Sequence, residues 1–585
     1  MNLKMKNKSL LFAIIVLAFL LRFVGISKYP IGFTQDEAGL GYEAYSLLST
    51  GKDSWGNSFP LTLRSFGDFK LPLYSYLAVP TVAIFGLNKF AVRLPNALLG
   101  TAAVYIIYLL VNELQKRVKN QSPTSKAGQA SLITNHQSLA SIAALLLAIS
   151  PWHISLSRGA FEANLTTFFM PFGIWAFLKG LKTPSWMILS SILFGLNFYS
   201  YHSARVLTPI IVILLILYLK ISGNNNLINK SAIWKSIKRY KIAVVILAVF
   251  FLSSLGSLFQ GAASRGLDVA LINPTDKWEY MSQRRFEAIK QGIPAEVARI
   301  FSNKVTYIAD NFVSNYLSYI SPIFLFSRGA SDDGYGMIPG RGVLYLVEIL
   351  FLTFFLIQLI KEQKPYLIFI FLWIILAPIP AAISKATGFS ATRAAVMVPA
   401  IQIASACGFN FFLLFLEKSF KNKNFIITIK TLFFGILFAS LIFFLEDYLF
   451  HAPVHASESM QYGRGELINY VSGIEDKYDK IFMSRTLSVP HIWVAFYKKW
   501  DPKDHQKESI EWLKYEEEGW QYLDQISQYS LGKYTFGSID LGSLKKENAL
   551  IVGTPEEFPE SALVLSKFYY LNGEEAFYVV ESKSL

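Results

Sequence analysis

Apolar runs of about 17 to 25 residues, the length that a bilayer core requires, recur through residues 1–448. They fall near 10–26, 94–112, 138–153, 163–181, 185–201, 205–221, 241–260, 342–360, 365–383, 393–416 and 425–447, which predicts about eleven membrane spans. Segment 72–87 is apolar but short and carries Pro72 and Pro80, so it reads as a helix lying at the interface. From about residue 449 the pattern turns charged and mixed. Helical spacing at 466–471 precedes strand-like runs at 480–483 and 549–552, and Leu571-Asn572-Gly573 signals a hairpin. The expected architecture is an all-α polytopic membrane bundle over 1–448, with outer loops 27–93 and 261–341, followed by a small α/β extracytoplasmic domain over 449–585.

Composition agrees with a polytopic membrane protein: of 585 residues 53% are hydrophobic and 15% aromatic. The net charge of +14 raises the question of nucleic acid, and the placement of the basic residues answers it. With the N-terminus inside, every predicted inner loop is basic: Lys116, Arg117, Lys119 and Lys126; Lys220, Lys230, Lys235, Lys238 and Arg239; Lys361 and Lys364; Lys418, Lys421 and Lys423. Nucleic acid is therefore discounted as a partner. This reading predicts a multi-pass protein of a plasma membrane, its N-terminus cytoplasmic and its tail outside. Lys4, Lys6 and Lys8 before an apolar run imitate a signal peptide, but no small-x-small cleavage site follows, so a retained anchor is expected. The single cysteine, Cys407, excludes an intrachain disulfide and any CxxC motif.

The candidate chemistry begins at Thr34-Gln35-Asp36-Glu37, just beyond the first span. Two readings apply. Thr34-x-x-Glu37 has the spacing of a helix capping box, and acids in a first turn suit the helix dipole. Alternatively, Asp36 is a general base at the membrane surface. Other charged residues gather at the predicted outer face: Lys70, Arg93, Arg158, Glu162, His202, Arg205, Arg265, Arg341, Lys385 and Arg393. Interfacial anchoring accounts for any one of these cations. So many on one face, opposed by Asp36, Glu37 and Glu162, point to a shared cavity for an anionic leaving group, with a carboxylate to deprotonate an acceptor hydroxyl. Asp36, Glu37 and either His153 or His202 offer ligands for a divalent cation, but hydrogen bonding at helix ends explains those histidines better, and no metal set is assigned. The glycine-rich run 334–342 reads as a turn, with a mobile cover over a donor as the alternative.

Asp36-Glu37 after the first span, Lys70-Leu71-Pro72-Leu73, Arg93-Leu94-Pro95-Asn96-Ala97-Leu98-Leu99-Gly100 and Arg158-Gly159-Ala160-Phe161-Glu162-Ala163-Asn164-Leu165 together resemble the GT-C membrane glycosyltransferases. The branch resembled contains the protein O-mannosyltransferases and the lipid A aminoarabinose transferases. The resemblance implies inverting, metal-optional transfer of a mannose-like hexose or related sugar from a polyprenyl-phosphate donor, with no cofactor required. It makes Asp36 the base, Glu37 its partner or substitute and Glu162 a second acid. Arg93 would position the carboxylates and Lys70 would contact the donor phosphate, with Arg158, His202, Arg205, Arg341 and Arg393 as further substrate-binding candidates. The acceptor, whether lipid, glycan or protein, stays open. Lys70-Leu71-Pro72 stands where the mannosyltransferases have His-Pro-Pro, and their lumenal sugar-binding insert is missing from 261–341. The rival reading is a polytopic transporter or lipid flippase. Transporters commonly show paired repeats and broken helices at the midplane, whereas here the charges cluster at one face.

Overall fold

The computed structural model describes residues 3–121, 139–222, 238–257, 270–271, 278–385 and 388–585. Arg265, Lys126, Lys230 and Lys235 lie outside the described residues. The helices run in the order α1 (Leu3–Phe23), α2 (Gln35–Thr50), α3 (Leu73–Phe85), α4 (Lys89–Gln121), α5 (Leu139–Ile149), α6 (Pro151–Arg158), α7 (Leu165–Gly180), α8 (Pro184–Asn197), α9 (His202–Ile221) and α10 (Lys241–Gly256). There follow α11 (Trp278–Lys290), α12 (Ala295–Phe301), α13 (Lys304–Ile320), α14 (Glu348–Glu362), α15 (Pro365–Leu376), α16 (Val398–Ser419) and α17 (Lys423–Glu446).

Among the described residues five helices are long and apolar enough to cross a bilayer: Lys89–Arg117, His202–Ile221, Pro365–Ala382, Ala395–Ser419 and Lys423–His455. The pair α5 and α6, bent by 55°, makes a sixth if it is taken as one span. Of the other expected spans, the first falls on α1, which has 21 residues, and the rest are shorter helices. α7 and α8 have 16 and 14 residues, and at about 1.5 Å per residue each falls short of a ~30 Å core. They pack closely, Gly173 meeting the Phe194 ring and accepting a hydrogen bond from Ser190 Oγ at 2.8 Å, in the way small residues admit close helix approach. α3, with 13 residues, is an apolar helix too short to span. It packs between α2 and α4 through Tyr74, whose hydroxyl donates to Val92 O at 2.8 Å.

Beyond residue 479 the chain forms a six-stranded sheet of β3 (Lys480–Ser484), β4 (Gln528–Leu531), β5 (Tyr534–Gly537), β6 (Ala549–Gly553), β7 (Val564–Tyr569) and β8 (Glu575–Glu581), two short strands at 63–64 and 69–70 preceding them. The sheet order is β4-β5-β3-β6-β8-β7, parallel across β5-β3-β6 and antiparallel at both flanks. Ile481, Met483, Leu550 and Val552 belong to the same hydrophobic cluster as Leu40 and Tyr42 of α2. The sheet and segment 27–93 therefore share a core, which steadies α2.

Candidate active site

α2 starts at Gln35 because Thr34 caps it. Thr34 Oγ1 accepts the Glu37 amide hydrogen at 3.3 Å, and Glu37 Oε2 accepts the Thr34 amide hydrogen at 3.2 Å. Successive residues on a helix diverge by about 100°, so the cap sends two neighbouring carboxylates in different directions.

Glu37 turns inward and is fully buried. Arg93 Nε and Nη2 donate to its two oxygens at 2.8 Å each, and the Ala160 amide donates to Oε1 at 2.8 Å. The remaining Arg93 donors go to main-chain oxygens: Nη1 to Ile26 at 3.1 Å and Pro30 at 2.9 Å, Nη2 to Gly32 at 2.9 Å. Gly32 has φ +76°, and the Met460 carbonyl occupies the space where a Cβ would stand, so only glycine fits. One bidentate pair thus ties the 26–32 turn, the start of α2, the first turns of α4 and the loop after α6.

Asp36 turns outward into a cavity of about 80 Å³ lined by Lys70, Glu162, Tyr201, His202, Tyr335 and Thr392. Lys70 Nζ donates to Oδ1 at 2.6 Å and Tyr335 Oη donates to Oδ2 at 3.1 Å. Burial acts to lower the Lys70 ammonium, yet Asp36, Glu162 and Asp68 outweigh it and hold the group above its ordinary value. Asp36, with burial adding to it, pushes the Tyr335 phenol well above its ordinary value, so that it keeps its proton and donates. Asp36 accepts from both, as an ionised carboxylate does.

Tyr335 reaches this position because Asp332 pins its loop. The Asp332 carboxylate accepts hydrogen bonds from Ser390 Oγ at 3.0 Å, Ala391 N at 3.0 Å, Thr392 N at 3.1 Å and Thr392 Oγ1 at 2.9 Å. Gly336, at φ +70°, then closes the turn. Neither residue stood among the sequence candidates. Glycines at 334 and 336 are the available signal, and by themselves they indicate only a turn.

The structure brings Asp36, Glu162, Lys70 and His202 to one cavity and separates the other candidates from it. Glu37 as partner or substitute for Asp36 is corrected: both its oxygens are saturated inside the protein. Arg93 touches Glu37 alone of the two acids, and acts through the cap. Arg158 as a substrate-binding residue is also corrected, since it caps the end of α1 by donating to Leu21 O and Val24 O at 2.7 Å each. Arg205 donates to Phe198 O at 3.3 Å and Ser257 Oγ at 3.0 Å, staples within the bundle rather than the cavity wall. Arg393 donates to Ser384 Oγ at 2.8 Å beside Thr392 and borders the cavity without lining it. Arg341 pairs with Asp447 and lines a different, larger cavity of about 980 Å³. His153 makes hydrogen bonds, as expected of it: Arg22 Nη2 lies 2.8 Å from Nδ1 and Thr167 Oγ1 lies 3.0 Å from Nε2. Among the described residues the grouping of acids and histidines compact enough for an ion is Glu446, Asp447 and His451, away from Asp36.

No protein-family model and no curated protein matches the sequence. Solved structures do match. ArnT from Cupriavidus metallidurans, bound to undecaprenyl phosphate, superposes with a TM-score of 0.53 at 13% identity, over 98% of this chain and 97% of that one. The chain has the GT-C glycosyltransferase fold. Apo ArnT from the same organism gives a TM-score of 0.50 at 13% identity, over 98% and 97% of the two chains. The archaeal oligosaccharyltransferase AglB from Archaeoglobus fulgidus gives 0.47 at 13% identity; 84% of this chain is covered, and it spans 64% of AglB.

Proposed function

We propose that this GT-C protein is an integral membrane glycosyltransferase that moves a sugar from a polyprenyl-phosphate donor to an acceptor hydroxyl on the extracytoplasmic side. The observation that carries the reading is the Asp36 carboxylate, held by Lys70 and Tyr335 at the wall of a cavity that also contains Glu162. The undecaprenyl phosphate bound to ArnT supports a donor of that class. The basic inner loops support a cytoplasmic N-terminus in a plasma membrane, with the cavity and the sheet outside.

In this mechanism Asp36 takes the proton of the acceptor hydroxyl as its oxygen attacks the anomeric carbon. A carbon–oxygen bond forms on one face of the sugar while the bond to phosphate breaks on the other, so the anomeric configuration inverts. Lys70 stabilises the negative charge that grows on the departing phosphate. Glu162 is the second acid of the cavity and balances the Lys70 charge once the phosphate has gone. Tyr335 occupies the Asp36 oxygen that the acceptor needs, so it must give way as the acceptor enters. No step calls for a resident metal.

The test is sugar transfer by purified, reconstituted protein from a synthetic polyprenyl-phosphate sugar. Asp36→Asn is expected to lower turnover by about 10²- to 10⁴-fold, the usual contribution of a general base. Undiminished turnover would remove Asp36 from the mechanism.

A further inference from the structure

Asp36 and Lys70 stand on different elements, and both elements rest on residues 480–585. Asp36 lies in the first turn of α2, which packs against the helix Pro490–Tyr497. Ser488 Oγ donates to Gln35 Oε1 at 2.6 Å and Tyr42 Oη donates to Trp500 O at 3.0 Å, so α2 is tied there at its start and at its middle.

Lys70 ends a hairpin. Leu63 pairs with Lys70 and Arg64 with Phe69, and the Ser65 amide donates to Asp68 O at 2.7 Å across the turn. A ladder this short does not hold its own shape in water, so its position is set by what it packs on. The Leu523 amide donates to Phe66 O at 3.2 Å. The Gln521 carbonyl fills the space that a Cβ at Gly67 would need, and Arg64 pairs with Glu516 while donating to Tyr515 Oη at 3.3 Å. Segment 515–523 therefore grips the turn.

Phe66 carries that grip to Lys70. Its ring meets the His491 ring in a T-shaped contact at 5.6 Å, and a Cβ on Gly39 of α2 would come within 3.2 Å of its tip. His491 is itself held, its Nδ1 lying 2.9 Å from Tyr529 Oη of β4. Lys70 Nζ lies over the Phe66 ring, 5.5 Å from its centre, while donating to Asp36 Oδ1 at 2.6 Å. A lysine stem is flexible, and a ring beside the ammonium narrows the positions it can take.

We propose that Phe66 is a positioning residue through which residues 480–585 set the Lys70 ammonium against Asp36, a role that rests on the phosphate contact proposed for Lys70. The C-terminal part of the chain thereby takes a share in binding the lipid-linked donor without touching it.

A double-mutant cycle of Phe66→Leu and Lys70→Met decides this, made on the full chain in nanodiscs and read as affinity for undecaprenyl phosphate and as kcat/KM for a synthetic polyprenyl-phosphate sugar. Leucine keeps an apolar group at position 66 and removes the ring. With Lys70 present, Phe66→Leu is expected to weaken undecaprenyl phosphate binding by about tenfold, within what a charge-assisted contact contributes, and to lower kcat/KM with it. In Lys70→Met the same substitution should change binding by less than about twofold, because the group that it positions is gone. Gly67→Ala, whose methyl group forces the turn off Gln521, is the second variant and should lose its effect in Lys70→Met in the same way. A general loosening would multiply through both backgrounds, so an equal factor with and without Lys70 overturns the proposal, and so does unchanged binding in Phe66→Leu. Should Lys70→Met bind undecaprenyl phosphate as tightly as wild type, the donor contact proposed for Lys70 falls and the role of Phe66 falls with it. A Lys70→Met loss that Phe66→Leu multiplies in full leaves that contact standing and overturns the role of Phe66 alone.

Discussion

The seam around Glu37 and the cavity around Asp36 begin one residue apart and behave as opposites. In the seam every polar group is matched: a bidentate ion pair is surrounded by main-chain donors and acceptors and excluded from solvent. Such an arrangement is rigid, and breaking it leaves a buried charge uncompensated. In the cavity the same kind of carboxylate is held by two side chains that can move, a lysine on a flexible stem and a tyrosine on a loop. The first region holds the second in place. On the proposed mechanism, reactivity resides in the less completely satisfied of the two.

The sharpest break in this contrast is Asp36→Asn, whose expected loss of about 10²- to 10⁴-fold in turnover should leave the fold intact. Arg93→Ala acts on the other region. It should cost about 3–5 kcal/mol by stranding Glu37, read as a large fall in thermal midpoint together with lost activity, while Arg93→Met with Glu37→Leu should recover part of the midpoint. An Arg93→Ala protein as stable as wild type would contradict a structural seam. Lys70→Met should lower turnover by about 10²- to 10³-fold, the scale of losing one donor to a developing anion, with little change in thermal midpoint.

A second buried contact lies just beyond the end of α2, where His505 Nδ1 sits 2.9 Å from Ser54 O. Burial lowers the His505 imidazole from its ordinary 6.5 to about 4, and burial together with His505 keeps His491 well below its ordinary value. The folded state thus binds fewer protons than the unfolded chain. The stability these residues contribute is fully present above about pH 6.5 and is lost as pH falls toward about 4. Thermal midpoints measured across that window should decline on acidification, and the decline should be shallower in His505→Asn. The smallest effect is expected for Tyr335→Phe. Losing one hydrogen bond that must break during turnover should change kcat/KM by about fivefold in either direction, and a loss as large as that of Asp36→Asn would make Tyr335 part of the chemistry.

Much of the cavity was visible in the sequence because its residues lie near predicted span ends: Asp36, Lys70, Glu162 and His202 were all marked by charge at an apolar boundary. Arg158 and Arg205 carried the same mark and staple helices instead. Charge at a boundary identifies a residue that needs a partner and leaves open whether the partner is a substrate or a carbonyl oxygen. Tyr335 carried no mark. It meets Asp36 across 299 positions, and a tyrosine after a glycine in a loop has no periodicity to betray its direction.

Alone, the sequence determined what depends on neighbours along the chain: the apolar runs, the Thr34–Glu37 cap, the strand-like runs at 480–483 and 549–552, and the supply of acids and cations at the ends of apolar runs. Tertiary structure decided which of two adjacent carboxylates is sealed and which is presented, and which distant loop supplies the tyrosine. The reason is that helix and strand periodicity arise from contacts a few residues apart, whereas the partner of a charged group is chosen by whatever the packed chain brings within about 3 Å of it.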